Sequence, residues 1–575
     1  MKNYFFTLII AVVVFSSCEN SQTQLPLLRF EQSNGTQTST YDEVIEFYKI
    51  LANNHKSIQI QEIGKTDSNE PLHLVIFNSE GNFDLSENHG KILINNGIHP
   101  GESDGIDASM LLMKSLAFGD LQTNLTVAVI PVYNIGGALN RNSTSRANQN
   151  GPEEYGFRGN ARNFDLNRDF IKADTKNARS FAQLFHRVNP DLFIDNHVSN
   201  GADYQYVITH LFTQHNKLGG STGAFLNNVW HPYMDQAMEE GDYPITPYVN
   251  VFGRTPESGF SQFMDYPRYS TGYTALFNCL GMMVETHMLK PYKDRVYATL
   301  ELMKQNLIFT ELHLSEIKAL KSLAWQELVE KGHYPLSFEL DRQSYVELDF
   351  KGIQGENIKS NITGGQRLKY YKDSTYTTKV KYYNQFRANQ EIEIPSAYII
   401  PQGQWKVIER LKENNIDYTK LEKDQSIQVE IKRIKSYETR KNAYEGHYVH
   451  YNTQTTTQVE YIEFRKGDYL VPTAQYGIRY LIETLEPEAT DSFFNWNYFD
   501  AILQQKEGFS AYVFEDYAEE FLNNNPDIKN EFEELKLKDT TFNENSYAQL
   551  NWIFKKSPLY EDNHLRYPIF RKMKK

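Results

Sequence analysis

The chain has 575 residues, of which 40% are hydrophobic and 23% are charged, and its formal net charge is −14 at pH 7. This length exceeds what one ordinary hydrophobic core supports, so we expect two or three globular domains. The net negative charge argues against a nucleic-acid partner, because a protein that neutralises phosphates needs a basic face.

The N-terminus predicts export. After a short positively charged start, residues 5–15 form an almost wholly apolar run, which is too short to span a bilayer but suits a signal peptide. The following Ser16-Ser17-Cys18 resembles the lipobox of bacterial lipoproteins, in which the cysteine is acylated and becomes the mature N-terminus. We therefore expect residues 1–18 to be a lipoprotein signal peptide and the lipid on Cys18 to anchor the protein to a membrane of the bacterial cell envelope. The alternative is an ordinary signal peptide with an incidental cysteine. Either the periplasmic or the surface face of the membrane is compatible with this motif.

The next segments predict a tether and then an α/β domain. Residues 19–38 are rich in Ser, Thr, Gln and Asn, which indicates a polar tether. Residues 39–320 alternate between the apolar periods of strands and of helices, which is typical of an α/β domain. The predicted elements are a helix over 41–51, strands over 58–63, 72–77 and 91–95, a helix over 103–117, a strand over 125–132, a helix over 175–188, and two apolar strands that end at His197 and Glu285.

The composition changes after about residue 320. Residues 337–430 are rich in Tyr, Ile, Val and Thr with turn residues at short intervals, which predicts β-structure, and residues 440–575 are mixed and strongly aromatic. We expect a β-rich or mixed C-terminal region over residues 335–575, and a further split near residue 440 is left open.

Two histidines and one carboxylate follow predicted strands. His99 and Glu102 stand three residues apart just after the strand over 91–95, and His197 ends an apolar strand that starts at Asp191. Open α/β sheets carry their active sites outside the carboxyl ends of the strands. Two histidines and a carboxylate, with a fourth position left for water, form a catalytic rather than a structural zinc arrangement. A His-x-x-Glu pair alone is a common surface pattern, and the strand-end histidine is what favours a metal site.

Other polar residues lie between and after these strands. Arg168 directly follows Asn167, and an arginine beside an asparagine suits recognition of a planar carboxylate. Glu285 ends the apolar stretch 281–284, where a carboxylate facing a metal-activated water can act as a general base. Each of these residues, taken singly, also has a purely structural interpretation. Arg158 and Arg168 would then be ordinary surface ion-pair residues, and Glu285 would be a polar residue at the end of a strand.

This ordered set resembles the zinc metallocarboxypeptidase family related to carboxypeptidase A. The set consists of His-x-x-Glu, an arginine, Asp-x-Asn-Arg, a strand-end histidine and a strand-end glutamate, within about residues 40–310. Asn134-Ile135-Gly136 stands where the family often has Asn-Pro-Asp-Gly, a departure limited to that loop. The resemblance implies an α/β fold with a mixed central β-sheet flanked by helices, and one zinc ion per chain.

The resemblance also implies a role for each matching residue. The implied roles are zinc binding by His99, Glu102 and His197, general base and proton donor by Glu285, oxyanion stabilisation by Arg158, binding of the substrate's terminal carboxylate by Asn167 and Arg168, and orientation of the first zinc histidine by Asp165. The alternatives that stay open are Arg146 or Arg162 in place of Arg158, and Tyr266, Tyr269 or Tyr273 as the substrate-capping tyrosine of the family. The segment containing His210, His215 and His231 is rich in loops, and its histidines are predicted to be ordinary polar residues.

The expected function is a zinc metallocarboxypeptidase that removes C-terminal residues from peptides with a free carboxylate, by means of metal-activated water. An acylamino-acid deacylase or a peptidoglycan-stem peptidase would share the metal site and differ in substrate. A non-catalytic surface binding lipoprotein is the third interpretation. The complete ligand set and Glu285 argue against that last interpretation, since a relic site tends to lose its base first.

Overall fold

A computed structural model of the protein describes residues 25–574. The predicted signal peptide and Cys18 lie outside the described residues, so export and lipid anchoring stay predictions. Within residues 25–574, no helix combines the length and the apolar character needed to cross a membrane.

The described residues form strands and helices along their whole length. The strands are β1 (Ile58–Lys65), β2 (Pro71–Phe77), β3 (Lys91–Asn96), β4 (Thr126–Ile130), β5 (Leu192–Ser199), β6 (Ile208–Phe212), β7 (Phe260–Ser261), β8 (Leu280–His287), β9 (His333–Leu340), β10 (Val346–Lys359), β11 (Gln366–Tyr383), β12 (Phe386–Glu393), β13 (Ala397–Ile400), β14 (Thr419–Lys420), β15 (Gln425–Thr439), β16 (His450–Phe464), β17 (Tyr469–Pro472) and β18 (Phe570–Lys572). The α-helices are α1 (Arg29–Gln32), α2 (Tyr41–Asn54), α3 (Asp104–Phe118), α4 (Ile135–Leu139), α5 (Lys176–Val188), α6 (His215–Leu218), α7 (Gly220–Phe225), α8 (His231–Glu240), α9 (Ser270–Thr274), α10 (Tyr292–Leu312), α11 (Leu314–Lys331), α12 (Trp405–Glu413), α13 (Ile478–Leu485), α14 (Ala511–Asn524), α15 (Pro526–Lys538), α16 (Thr540–Asn543) and α17 (Ser546–Lys556).

A seven-stranded mixed sheet forms the centre of the N-terminal half, in the order β1-β2-β4-β3-β5-β8-β6. Strands β4, β3, β5 and β8 pair in parallel, whereas β2 pairs antiparallel with β1 and β4, and β6 pairs antiparallel with β8. The parallel strands are buried on both faces, which explains why the sequence shows them as continuous apolar runs. The predicted mixed α/β fold is confirmed.

Helices cover both faces of this sheet. On one face, α2, α3, α8 and α10 bury their apolar sides against strand residues such as Ile94 and Ile194. On the other face, α5 packs against Leu93 and Phe193, and the same core continues into the C-terminal half through residues such as Trp496. The C-terminal region is therefore joined to the central sheet by a shared core.

The carboxyl ends of β3, β5 and β8 meet at one edge of the sheet. The chain passes from β3 to β4 on one side and later to β5 on the other, so a ligand crevice opens at the end of β3. The strand register pairs Asn96 with Asn196 and His197 with Glu285. Because paired strands lie about 4.8 Å apart, His197 and Glu285 project from neighbouring backbone positions.

The C-terminal half is rich in antiparallel β-structure, as predicted. A long hairpin of β10 and β11 is extended by β7, β9 pairs with β12, and six strands form a sheet in the order β14-β17-β13-β18-β15-β16. Helices α14 to α17 surround a small core of their own. Helix α11 runs through the segment in which we placed the end of the first domain, and the domain boundaries themselves stay predictions.

Candidate metal centre and substrate cavity

The three predicted metal ligands come together at the carboxyl edge of the sheet. His99 Nδ1 lies 3.2 Å from Glu102 Oε1, and His197 Nδ1 lies 2.9 Å from Glu102 Oε2. One ligand atom from each residue lies within 4.8 Å of the other two. Tetrahedral zinc with bonds of about 2.0–2.2 Å separates neighbouring ligand atoms by roughly 3.4 Å, so the measured distances fit a zinc ion after small adjustments.

A tight turn between β3 and α3 presents two of these ligands. Gly97 follows β3 with a φ of 67°, a left-handed conformation that glycine adopts without steric cost. The Glu102 N–H then donates a hydrogen bond of 2.8 Å to the His99 carbonyl. This closed turn points both side chains at one position in space, where β5 delivers His197.

Each histidine uses its second ring nitrogen to contact a carboxylate. His99 Nε2 lies 2.9 Å from Asp165 Oδ1, and His197 Nε2 lies 2.9 Å from Asp195 Oδ2. Such carboxylates fix the ring orientation of a metal ligand and raise its basicity. The sequence predicts Asp165 in this place but misses Asp195, whose carboxylate also accepts a hydrogen bond from the Ser270 hydroxyl. The available signal was a charged residue inside an apolar strand, two positions before His197 and hence on the same face.

The charges around the cluster favour a bound cation. Although burial opposes its ionisation, His99 and Arg146 hold the pKa of the Glu102 carboxyl well below its usual range. Burial also opposes a charged His197, yet Asp195 and Glu102 raise the pKa of that imidazole well above its usual value. The same field that holds a proton on His197 in the metal-free protein would stabilise a divalent cation that replaces the proton.

Glu285 lies beside His197 and lines the same cavity. Burial raises the pKa of its carboxyl to about 8, with His197 opposing that rise and Glu102 adding to it. The charge of a bound cation would oppose this rise. A carboxyl that titrates near neutral pH can both accept a proton and return it.

A cavity of about 480 Å³ opens above the cluster, within the range of small-ligand sites. Its wall includes the predicted substrate residues Arg158, Asn167 and Arg168, together with Tyr248 and Tyr269. The structure therefore gathers the three predicted metal ligands, the predicted base and the predicted substrate residues around one space. Tyr248 had no signal in the sequence, because it lies in a loop far from the matching motifs.

Arg158 lies over the first histidine ligand. Its Nη2 donates to Asp165 Oδ2 at 2.8 Å, and its Nη1 lies 3.4 Å from His99 Nδ1. Burial works against the charge, but Asp165 and Glu102 raise the pKa of the guanidinium. The side chain is 45% exposed, so its remaining N–H groups can reach a substrate oxygen in the cavity.

The positions of Arg146 and Arg162, the alternatives to Arg158, differ with respect to the cavity. Arg146 also lines the cavity, and its Nη1 lies 2.9 Å from Glu102 Oε1, so it contacts a predicted metal ligand directly. Arg162 lies 3.6 Å from Asp67 and does not line the cavity. The choice for a group that contacts the substrate oxygen narrows to Arg158 and Arg146.

Arg168 is held in place from two sides. Its guanidinium lies 4.7 Å above the ring centre of Tyr269, and its Nη1 donates to the Asn167 carbonyl at 2.7 Å. The Asn167 side-chain oxygen accepts a hydrogen bond of 3.4 Å from the Ser270 N–H. This pair therefore enters the cavity with little freedom left to lose on binding a ligand.

The three candidates for the substrate-capping tyrosine also differ in their positions. Tyr273 is buried in the core and its hydroxyl donates to Asn414, and Tyr266 lies beside the Lys217 ammonium. Of the three candidates, Tyr269 is the one that lines the cavity. Its position over Arg168 places a phenol next to the residue predicted to bind the substrate carboxylate.

A loop of the C-terminal half contacts the segment that carries Asp165. Glu445 Oε2 accepts a hydrogen bond of 2.9 Å from the Asp165 N–H, and His447 Nε2 lies 2.7 Å from Asp174 Oδ2. Neither contact can be predicted from local sequence patterns, because more than 270 residues separate the partners. This loop supports the short segment that carries Asp165, Asn167 and Arg168.

The chain is similar to carboxypeptidases. It is 24% identical to "Carboxypeptidase 2" of Trichophyton tonsurans over 487 residues, covering 80% of this chain and 84% of the relative, and equally similar to the protein of that name from Trichophyton rubrum over 490 residues. Coverage of this extent takes in part of the C-terminal region as well. No protein-family model matches the chain.

Solved structures similar to the chain include a metallo-carboxypeptidase from Burkholderia cenocepacia and a carboxypeptidase A from Helicoverpa armigera. The first has a TM-score of 0.36 and 16% identity and covers 48% of this chain and 70% of its own. The second has a TM-score of 0.38 and 15% identity and covers 51% of this chain and 80% of its own.

Proposed function

We propose that the chain is a zinc-dependent peptidase that removes C-terminal residues from peptides. The observation that carries the proposal is the cluster of His99, Glu102 and His197 beside Glu285, in a cavity that also contains Arg168. Similarity to proteins named carboxypeptidase 2 over four-fifths of the chain supports a peptidase. The arginine at the cavity wall supports a substrate with a free carboxylate.

The residues of the chain divide the reaction between them. A zinc ion held by the three ligands would supply Lewis acidity to a water molecule and to the scissile carbonyl. Glu285 accepts the proton of the attacking water and returns it to the leaving amine, a task that suits a carboxyl with a raised pKa. Arg158 donates hydrogen bonds to the carbonyl oxygen as negative charge develops there.

Substrate selection depends on Asn167 and Arg168 in the wall of the cavity. Arg168 forms charge-assisted hydrogen bonds with the terminal carboxylate of the peptide, and Asn167 adds a neutral partner. Tyr269 and the Asn167 carbonyl keep the guanidinium in one orientation, so less conformational entropy is lost on binding. A peptide seated in this way has its last amide bond near the metal ligands.

The test of the metal assignment uses His197→Ala. We expect this variant to lose one zinc equivalent that wild-type protein binds and to stop releasing amino acids from a peptide. The matched control is His89→Ala, which changes a half-buried surface histidine paired with Glu87 and should leave both properties unchanged. A His197→Ala protein that keeps the same zinc content and turnover would remove His197 from the ligand set.

Membrane anchoring by Cys18 is a separate part of the proposal and is supported by the sequence motif alone. Cys18→Ala should move the protein from the membrane fraction to the soluble fraction of the cell envelope, because acylation is then impossible. Cys279→Ala is the control, since that cysteine is buried in the core. A Cys18→Ala protein that still sediments with membranes would show that another segment holds it there.

A further inference from the structure

We propose that His210, His231 and Asp235 form a second metal site, which binds a divalent transition ion such as Zn²⁺ on the opposite face of the central sheet. The sequence predicted His210 and His231 to be ordinary polar residues of a loop-rich segment. The structure corrects this, because His210 is buried on the edge strand β6 and His231 begins helix α8.

The three side chains converge as metal ligands do. His231 and Asp235 stand four residues apart on one helix and therefore share a face, which is turned towards β6. His231 Nε2 lies 3.4 Å from one Asp235 carboxylate oxygen, and His210 Nε2 lies 3.8 Å from the other. One ligand atom from each residue lies within 4.8 Å of the other two, as at the first cluster.

Three buried ring nitrogens of the two histidines lack hydrogen-bond partners within residues 25–574. His210 is 2% exposed, and both of its ring nitrogens are without a partner within residues 25–574, as is Nε2 of His231. A neutral imidazole needs one donor and one acceptor to compensate for leaving water, so an unpaired ring is costly. A metal ion bound at the two Nε2 atoms would satisfy the acceptor nitrogens. Burial lowers the pKa of both imidazoles, which favours the neutral form that ligates a metal, and it raises the pKa of the Asp235 carboxyl to about 7, so metal binding would displace a proton from that group near neutral pH.

A space beside the two histidines and the exposure of the carboxylate give the site access to water. A cavity of about 20 Å³ lies beside His210 and His231, which is enough for one water molecule. Asp235 is 49% exposed, so the site reaches solvent through its carboxylate. Two neutral histidines, one carboxylate and one water match the ligand preference of zinc.

This site is distinct from the catalytic cavity. Side chains alternate along β6, so Leu211 lines the catalytic cavity while His210 and Phe212 point to the other face. A metal at the second site would fasten the edge strand β6 to α8. Strand β6 pairs with β8, which carries Glu285, so a metal bound to β6 would help to hold β8 in place. Because His210 points away from the catalytic cavity, we expect the second metal to stabilise the fold rather than to take part in the reaction.

The test measures zinc content in a background without the first site. Full-length His197→Ala protein, dialysed against Zn²⁺, should retain one zinc equivalent, and the His197→Ala/His231→Gln protein should retain close to none. The melting temperature of His197→Ala protein should rise on adding Zn²⁺, and that of the double variant should not. The control is His197→Ala/His89→Gln, which should behave as His197→Ala alone.

A second variant guards against a folding defect. Asp235→Asn, at a half-exposed position, should weaken zinc binding in the His197→Ala background by at least about tenfold, with an unchanged circular-dichroism spectrum. Equal zinc content in the His197→Ala protein with and without these changes would overturn the second site. Every measurement here is a zinc content or a melting temperature, taken on protein that lacks the first site. The test of the second site therefore does not depend on whether the protein is a peptidase.

Discussion

Arg168 gives the sharpest test of substrate selection. The predicted contact joins the Arg168 guanidinium to the terminal carboxylate of the peptide. Arg168→Ala removes the protein's part of this contact, and amidation of the peptide removes the substrate's part. The guanidinium is held over Tyr269 and against the Asn167 carbonyl, so in wild-type protein it is ready to pair with a carboxylate. The two changes should therefore have effects that do not add.

The size of the effect follows from the burial of the group. Truncating one partner of a buried charge pair costs about 2–5 kcal/mol. The Arg168 side chain is 21% exposed, and its Nη2 lies 3.9 Å from Asp165, which already neutralises part of its charge. We therefore expect the lower part of this range, about 2–3 kcal/mol, which corresponds to a loss of roughly 30- to 150-fold in kcat/KM.

The assay compares two peptides that differ only in a free or an amidated C-terminus. Wild-type enzyme should prefer the free peptide by that factor, and Arg168→Ala should lose most of the preference by slowing the free peptide alone. Arg162→Ala is the matched control, because that arginine is paired with Asp67 outside the cavity. Equal rates on both peptides with wild-type enzyme would refute the role of Arg168 and favour an endopeptidase or a deacylase.

Three further changes test the other parts of the site. Glu285→Gln should keep zinc and the fold but lower turnover by about 10²- to 10⁴-fold, because a general base is removed, and near-normal turnover would rule out this role. Asp195→Asn should weaken zinc binding about 10- to 100-fold in competition with a chelator, because the His197 ring loses its orienting carboxylate, and an unchanged affinity would contradict that role. Glu445→Ala should lower kcat/KM about two- to tenfold through the lost hydrogen bond to Asp165, and Glu445→Gln, which keeps an acceptor oxygen, should recover most of the loss.

The sequence could predict the strand ends of the site because parallel strands buried on both faces are continuous apolar runs. Where such a run gives way to polar residues near its end, as around His197 and Glu285, those residues lie close to the carboxyl ends of the strands. The short spacing between His99 and Glu102 then supplied the remaining ligand pair. These local patterns predicted the α/β fold of the N-terminal half, the three candidate metal ligands and Glu285, whereas the roles of Arg158, Asn167 and Arg168 came from the family resemblance.

The sequence could not predict contacts that depend on the tertiary path of loops. Arg146 reaches Glu102 from a long loop, and Glu445 reaches Asp165 from the C-terminal half, with nothing in either local pattern to indicate the partner. The register of Tyr269 depends in the same way on the irregular segment before α9. The burial of polar side chains was also not predictable, because the local sequence around His210 in β6 resembles that around a surface residue.

The most direct measurement of the central proposal follows one defined peptide by mass spectrometry during incubation with the protein. With zinc present, we expect stepwise loss of single residues from the C-terminus, arrest after removal of the metal by a chelator, and recovery when zinc is returned. Cleavage at internal bonds, or unchanged cleavage by the metal-free protein, would contradict the proposal.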